Sequence, residues 1–169
     1  MKTLYLIGGA MGVGKTTACQ ALKMRLPACA FLDGDWCWDM HPFVVNEETK
    51  ALVMDNITHH LSAFLRCGAF ENVVFCWVMH EQSIIDDILS RLDLTDVRVI
   101  PVSLVCSEET LSRRLMADIQ DGKRQPDVLP RSIARLPLYA SLNTLHLDVS
   151  ALTPEETAQA ILTLAVQPR

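Results

Sequence analysis

One stretch constrains this chain more than any other: Leu4-Tyr5-Leu6-Ile7-Gly8-Gly9-Ala10-Met11-Gly12-Val13-Gly14-Lys15-Thr16-Thr17. An apolar, β-branched and aromatic run opens into a glycine cluster, and the cluster opens into a helical pattern. Gly9, Gly14, Lys15 and Thr16 satisfy the spacing G-x-x-x-x-G-K-[ST], a loop that wraps phosphate groups. Glycines let the backbone turn tightly and bring its N–H groups against phosphate oxygens. A helix starting at Lys15 adds free N–H groups and the positive end of its dipole. On this reading Gly9, Ala10, Met11, Gly12, Val13, Gly14, Lys15, Thr16 and Thr17 bind nucleotide phosphates. Lys15 reaches the β- and γ-phosphates, and the Thr16 hydroxyl is a Mg²⁺ ligand.

The rest of the chain has the periodicity that such a loop requires. Lys15–Arg25 reads as a helix ended by Pro27, and 28–32 as a short strand closed by Asp33-Gly34-Asp35. Asn46 caps a long helix that runs to about Cys67. Residues 72–78 read as a buried parallel strand, 81–92 as a helix, and 97–105 as another buried strand. Ser107 caps a helix that fades at Asp121-Gly122. Lys123–Pro130 reads as a loop, Arg131–Tyr139 as a short basic helix, and Leu145–Val149 as the last strand. Thr153-Pro154-Glu155-Glu156 is a capping box that opens the final helix. Strands alternating with helices predict an α/β three-layer sandwich around a five-stranded parallel sheet, with ligands at the carboxyl ends of its strands. The 169 residues suit one domain.

Composition excludes several function classes. A net charge of −5 argues against general nucleic-acid binding, which rests on neutralising phosphates. No apolar run reaches membrane-spanning length. The six cysteines are scattered without a C-x-x-C pair, which suits reduced thiols and a cytoplasmic location.

A second constellation lies at Asp33 and Asp35. Both follow the second strand and so share the carboxyl edge with the phosphate loop. Extended alternation would put the two on one side. One carboxylate suits a hydrated Mg²⁺, and the other suits an incoming hydroxyl proton.

The loop together with Phe31-Leu32-Asp33-Gly34-Asp35 resembles the P-loop small-molecule kinases. It is similar to shikimate, gluconate and adenylylsulfate kinases, and more loosely to chloramphenicol phosphotransferase. The resemblance implies ATP and Mg²⁺ as cofactors and a small-molecule hydroxyl as phosphate acceptor. It assigns Asp33 to the metal and Asp35 to the acceptor. It also implies a lid at about 118–136. The resemblance assigns Arg114, in Glu109-x-Leu111-x-x-Arg114-Leu115 of the helix before the lid, to the nucleotide, and within the lid Arg124 closes over the transferring group, with Arg131 and Arg135 following. Charge of this kind stabilises a phosphoryl transition state. Family signatures are missing: the arginine that shikimate kinases use against the substrate carboxylate in the helix after Asn46, their glycine triplet after strand three, and the downstream acid-rich and Pro-Trp signatures of gluconate kinase. Strand three ends instead in Trp77-Val78-Met79-His80. Trp36 and His80 are therefore read as lining the acceptor side, with Trp38 and Trp77 as core. A nucleoside or nucleotide kinase and a nucleotide-binding regulatory module remain alternatives.

Overall fold

The computed structural model describes residues 1–166. Its centre is a five-stranded parallel sheet of β1 (Lys2–Gly9), β2 (Cys29–Asp33), β3 (Asn72–Cys76), β4 (Val97–Val105) and β5 (Leu145–Asp148), in the spatial order β2-β3-β1-β4-β5. The glycine loop thus leaves the middle strand, and the Asp33-Gly34-Asp35 turn leaves an edge strand. Side-chain alternation along β1 feeds two cores. Leu4 and Leu6 join one cluster, and Tyr5 and Ile7 join the other.

The first cluster is covered by α2 (Glu47–Arg66), α3 (Gln82–Ser90), α4 (Glu108–Gln120) and α5 (Val128–Arg135). The second is covered by α1 (Lys15–Arg25) and α6 (Pro154–Val166). Helix α2 shows why these residues form a helix at this place. Asn46 and Thr49 close a reciprocal capping box, and Val53, Ile57 and Leu61 are fully buried one turn apart. Burying each of those side chains contributes about 1.5–3 kcal/mol. The opposite face is polar, and its Asp55 pairs with Arg91 at 2.8 Å.

Two elements differ from the sequence reading. Helix α5 begins at Val128, inside the stretch read as loop, and ends at Arg135, followed by a 3₁₀ turn over Leu136–Ser141. Pro130 lies in its first turn, where a missing N–H costs nothing. Strand β3 ends at Cys76, because Met79 takes a left-handed φ of 33° and turns the chain out of the sheet. All six cysteines are free. No helix among the described residues is long and apolar enough to cross a membrane.

Candidate active site

The glycine loop is wound tightly between β1 and α1. Gly12 has a φ of 85°, and a Cβ there would lie 2.4 Å from Leu115 Cδ2, so both conformation and packing demand glycine. Gly14 caps α1 with no side-chain hydrogen bond, and no acidic residue occupies the first turn. The positive end of α1 is therefore open to an anion. Lys15 is buried, and its ammonium donates to the carbonyl oxygens of Gly9 at 2.8 Å and Ala10 at 3.0 Å. Burial lowers its pKa. Ala10 and Val13 are fully buried and hold the loop's shape. Met11, Gly12, Lys15, Thr16, Asp35 and Arg124 share the lining of a cleft of about 140 Å³ over the loop.

The two aspartates meet the loop differently. Asp33 is buried at the end of β2, and the Thr16 hydroxyl donates to its Oδ2 at 2.6 Å. Its Oδ1 accepts the Asp35 N–H at 3.0 Å and so caps a 3₁₀ turn over Gly34–Trp38. The chain is therefore not extended here, and alternation is not what brings the pair together. The 3₁₀ turn leaves Asp33 inside and carries Asp35 out along the open cleft. Gly34 makes this possible, because a Cβ would sit 2.6 Å from Trp77 Cγ. The Asp35 carboxyl is held above its ordinary pKa, first by desolvation and then by the neighbouring Asp33. Lys15, Arg124 and a hydrogen bond from the Trp77 side chain oppose the rise. The Thr16 and Asp33 oxygens are hard donors of the type Mg²⁺ takes. Among the described residues no cluster of three or more metal-ligating side chains exists.

The arginines separate into distinct roles. Arg114 donates from Nη1 to the Val13 carbonyl and from Nη2 to the Val149 carbonyl, each at 3.0 Å. It thereby ties the loop to the segment after β5. Beside it lies a slot of about 150 Å³ walled by Val13, Ala18, Leu152 and Pro154. Arg124 lines the cleft over the glycine loop and pairs with Asp118 at 3.0 Å. Arg131 pairs with Asp127 on the exposed side of α5. Arg135 is half-buried near His80 and has no acidic partner among the described residues.

On the acceptor side the placements are mixed. His80 is half-buried beyond the end of β3, with Nε2 3.4 Å from Glu81 Oε1. Its Nδ1 is buried without a hydrogen-bond partner. Burial and the Arg135 charge lower its pKa, so the ring is neutral at pH 7. Trp36 is 54% exposed and stands edge-on to Phe31, 5.3 Å between centroids. Phe31 packs against the α1–α6 cluster, so Trp36 lies against that face and is not among the residues lining the cleft. Trp77, read from the sequence as core, instead packs against Gly34, with its side chain beside Asp35. Its place at the carboxyl end of a central strand is the signal that would have found it. Tyr139 is fully buried, and its hydroxyl donates to the Val78 carbonyl at 2.5 Å.

A family model described as an AAA domain matches residues 6–131. This chain belongs to the AAA-domain family. The match takes in the glycine loop, the aspartate pair and α4 of this AAA domain. No curated protein matches the sequence. Among solved structures, the tunicamycin resistance protein of Deinococcus radiodurans superposes with a TM-score of 0.71 at 19% identity, over 99% of this chain and 98% of that one. A gluconokinase from Sinorhizobium meliloti gives 0.67 at 20% identity, over 96% and 93%. Shikimate kinase from Acinetobacter baumannii, solved with shikimate, gives 0.65 at 21% identity, over 98% and 93%. The AAA domain therefore has the fold of the P-loop small-molecule kinases.

Proposed function

We propose that this AAA domain is an ATP- and Mg²⁺-dependent phosphotransferase that moves the γ-phosphate of ATP to a hydroxyl of a small molecule. The observation that carries the reading is the cleft in which Asp35 faces Lys15, Thr16, the open end of α1 and Arg124. A phosphate-binding loop alone would serve a binding module. A carboxyl with a raised pKa on the same cleft adds a group able to take a proton.

In this reading the nucleotide base enters the slot beside Arg114, and the loop amides and Lys15 hold the phosphates. Asp35 orients the acceptor hydroxyl. As its oxygen bonds to the γ-phosphorus, the bond from that phosphorus to the ADP oxygen breaks and the proton passes to Asp35. Arg124 stabilises the charge on the transferring group. Mg²⁺, held by Thr16, Asp33 and phosphate oxygens, would neutralise charge on the polyphosphate. Trp77 and neutral His80 wall the acceptor side, and Arg135 adds a cation there. A gluconokinase and a shikimate kinase among the structural neighbours support a hydroxylated acceptor. We place the protein in the cytoplasm, acting on small molecules rather than on nucleic acid or membrane.

The test is ADP release from Mg-ATP with and without sugars, nucleosides, aminoglycoside-like and phenicol-like compounds. One compound should raise ADP release and appear as its phosphate ester. Tight Mg-ATP binding with no turnover on any of them would favour a regulatory module instead.

A further inference from the structure

We propose that Asp118 is a positioning residue that aims Arg124 at the transferring phosphate, an inference that rests on the phosphotransferase reading above. Arg124 is the lid arginine that lines the phosphate cleft. It donates from Nε to Asp118 Oδ2 at 3.0 Å. Neither of its terminal guanidinium nitrogens has a hydrogen-bond partner among the described residues. Asp118 therefore grips the inner edge of the fork, and the two outer nitrogens stay free to engage phosphate oxygens in the planar geometry that guanidinium favours.

The backbone supports the same arrangement. Where α4 ends, Gly122 takes a φ of 72° and reverses the chain. The Lys123 N–H then donates to the Asp118 carbonyl at 2.8 Å. One residue thus holds the departing lid twice, by its carbonyl and by its carboxylate, and the reversal brings Arg124 back over the loop. Both side chains of the pair are about one-third exposed, 33% for Arg124 and 32% for Asp118. A free arginine this exposed would sample many rotamers. An ion pair at this depth adds little to folding stability, so its main effect falls on where the guanidinium points. Arg131 and Lys123 contrast with it: each pairs with an aspartate within four residues on the open surface.

The test is a double-mutant cycle read by ADP release from Mg-ATP with water as the phosphate acceptor, together with ¹⁵N spectra of the arginine Nε–H groups. Asp118→Ala should lower kcat about tenfold, leave the KM for ATP within about twofold, and remove the exchange-protected Arg124 Nε–H signal. Asp118→Asn keeps an oxygen acceptor and should hold kcat within about threefold of wild type, with the signal retained. In an Arg124→Ala background, Asp118→Ala should change kcat less than about twofold. An equal fall in both backgrounds, no fall in the first, or an asparagine variant as slow as the alanine one would overturn the positioning role. No ADP release by the wild type with water or with any of the hydroxylated compounds would overturn the phosphotransferase reading itself, whereas an Arg124→Ala protein as fast as wild type would overturn the role of Arg124 and with it the positioning by Asp118.

Discussion

Replacing Asp35 by Asn separates the chemistry of the cleft from its stability, because the two should move in opposite directions. The amide keeps the size of the carboxylate and loses its charge and basicity. If Asp35 takes or orients the acceptor proton, turnover should fall by roughly 10²–10⁴-fold, about 3–5 kcal/mol of transition-state stabilisation. Folding should respond the other way. Desolvation and Asp33 raise the Asp35 pKa, so the folded state holds that proton more tightly than the unfolded chain. The wild type therefore loses stability as pH rises from the unfolded pKa through the raised folded pKa. The asparagine variant escapes that loss. Its advantage is complete above the folded pKa and vanishes below the unfolded one, where both side chains are neutral. Water in the open cleft screens the repulsion, which limits the gain to about 0.5 kcal/mol, or roughly 1–2 °C in Tm for a chain of this size. The assay pairs melting curves at pH 7.5 and pH 3.5, without Mg²⁺ or nucleotide, with steady-state transfer kinetics. A variant that melts lower than wild type at pH 7.5 would refute the electrostatic reasoning, and one that turns over at the wild-type rate would refute the acceptor role.

Other substitutions test the loop and the supports of the site. Lys15→Ala should weaken Mg-ATP binding and abolish turnover with little change in Tm, since the buried ammonium it removes makes hydrogen bonds only to carbonyl oxygens and its loss also removes a desolvation cost; calorimetry and a melt check both. Gly12→Ala forces an alanine into a left-handed conformation, about 1–2 kcal/mol, and drives its Cβ into Leu115, another 1–3 kcal/mol or so. Its Tm should drop by roughly 5–15 °C, and an unchanged melt would contradict the packing described. Tyr139→Phe leaves the Val78 carbonyl with only a 3.4 Å contact from the Gly9 N–H, and should cost about 1–2 kcal/mol in urea denaturation.

The local features of the site were legible because they depend on neighbours in sequence. The bounds of α1 and the caps at Asn46, Ser107 and Thr153 follow from hydrogen bonds within a few residues, and β4 shows in its own run of apolar residues. The loop pattern and the aspartate pair belong with them. The surroundings of Trp77, Asp118 and Arg135 were not legible, because the residues near them lie in other turns or other strands. Trp36 shows why. Its position after Asp35 suggested the cleft, but a 3₁₀ turn has about three residues per turn rather than two, and the ring swings to the other face of the sheet.

By itself the sequence determined a parallel α/β chain with an anion-binding loop, because glycine spacing, hydrophobic period and capping act over short range. It also determined that two carboxylates follow the second strand. Only the tertiary structure decided what each carboxylate faces. The order β2-β3-β1 and the reach of α1 bring the Thr16 hydroxyl onto Asp33. Asp35 is left facing Lys15, Arg124 and Trp77 across the cleft. Charge and desolvation at a site depend on distance in space, and that distance exists only once the strands have paired and the helices have packed on them.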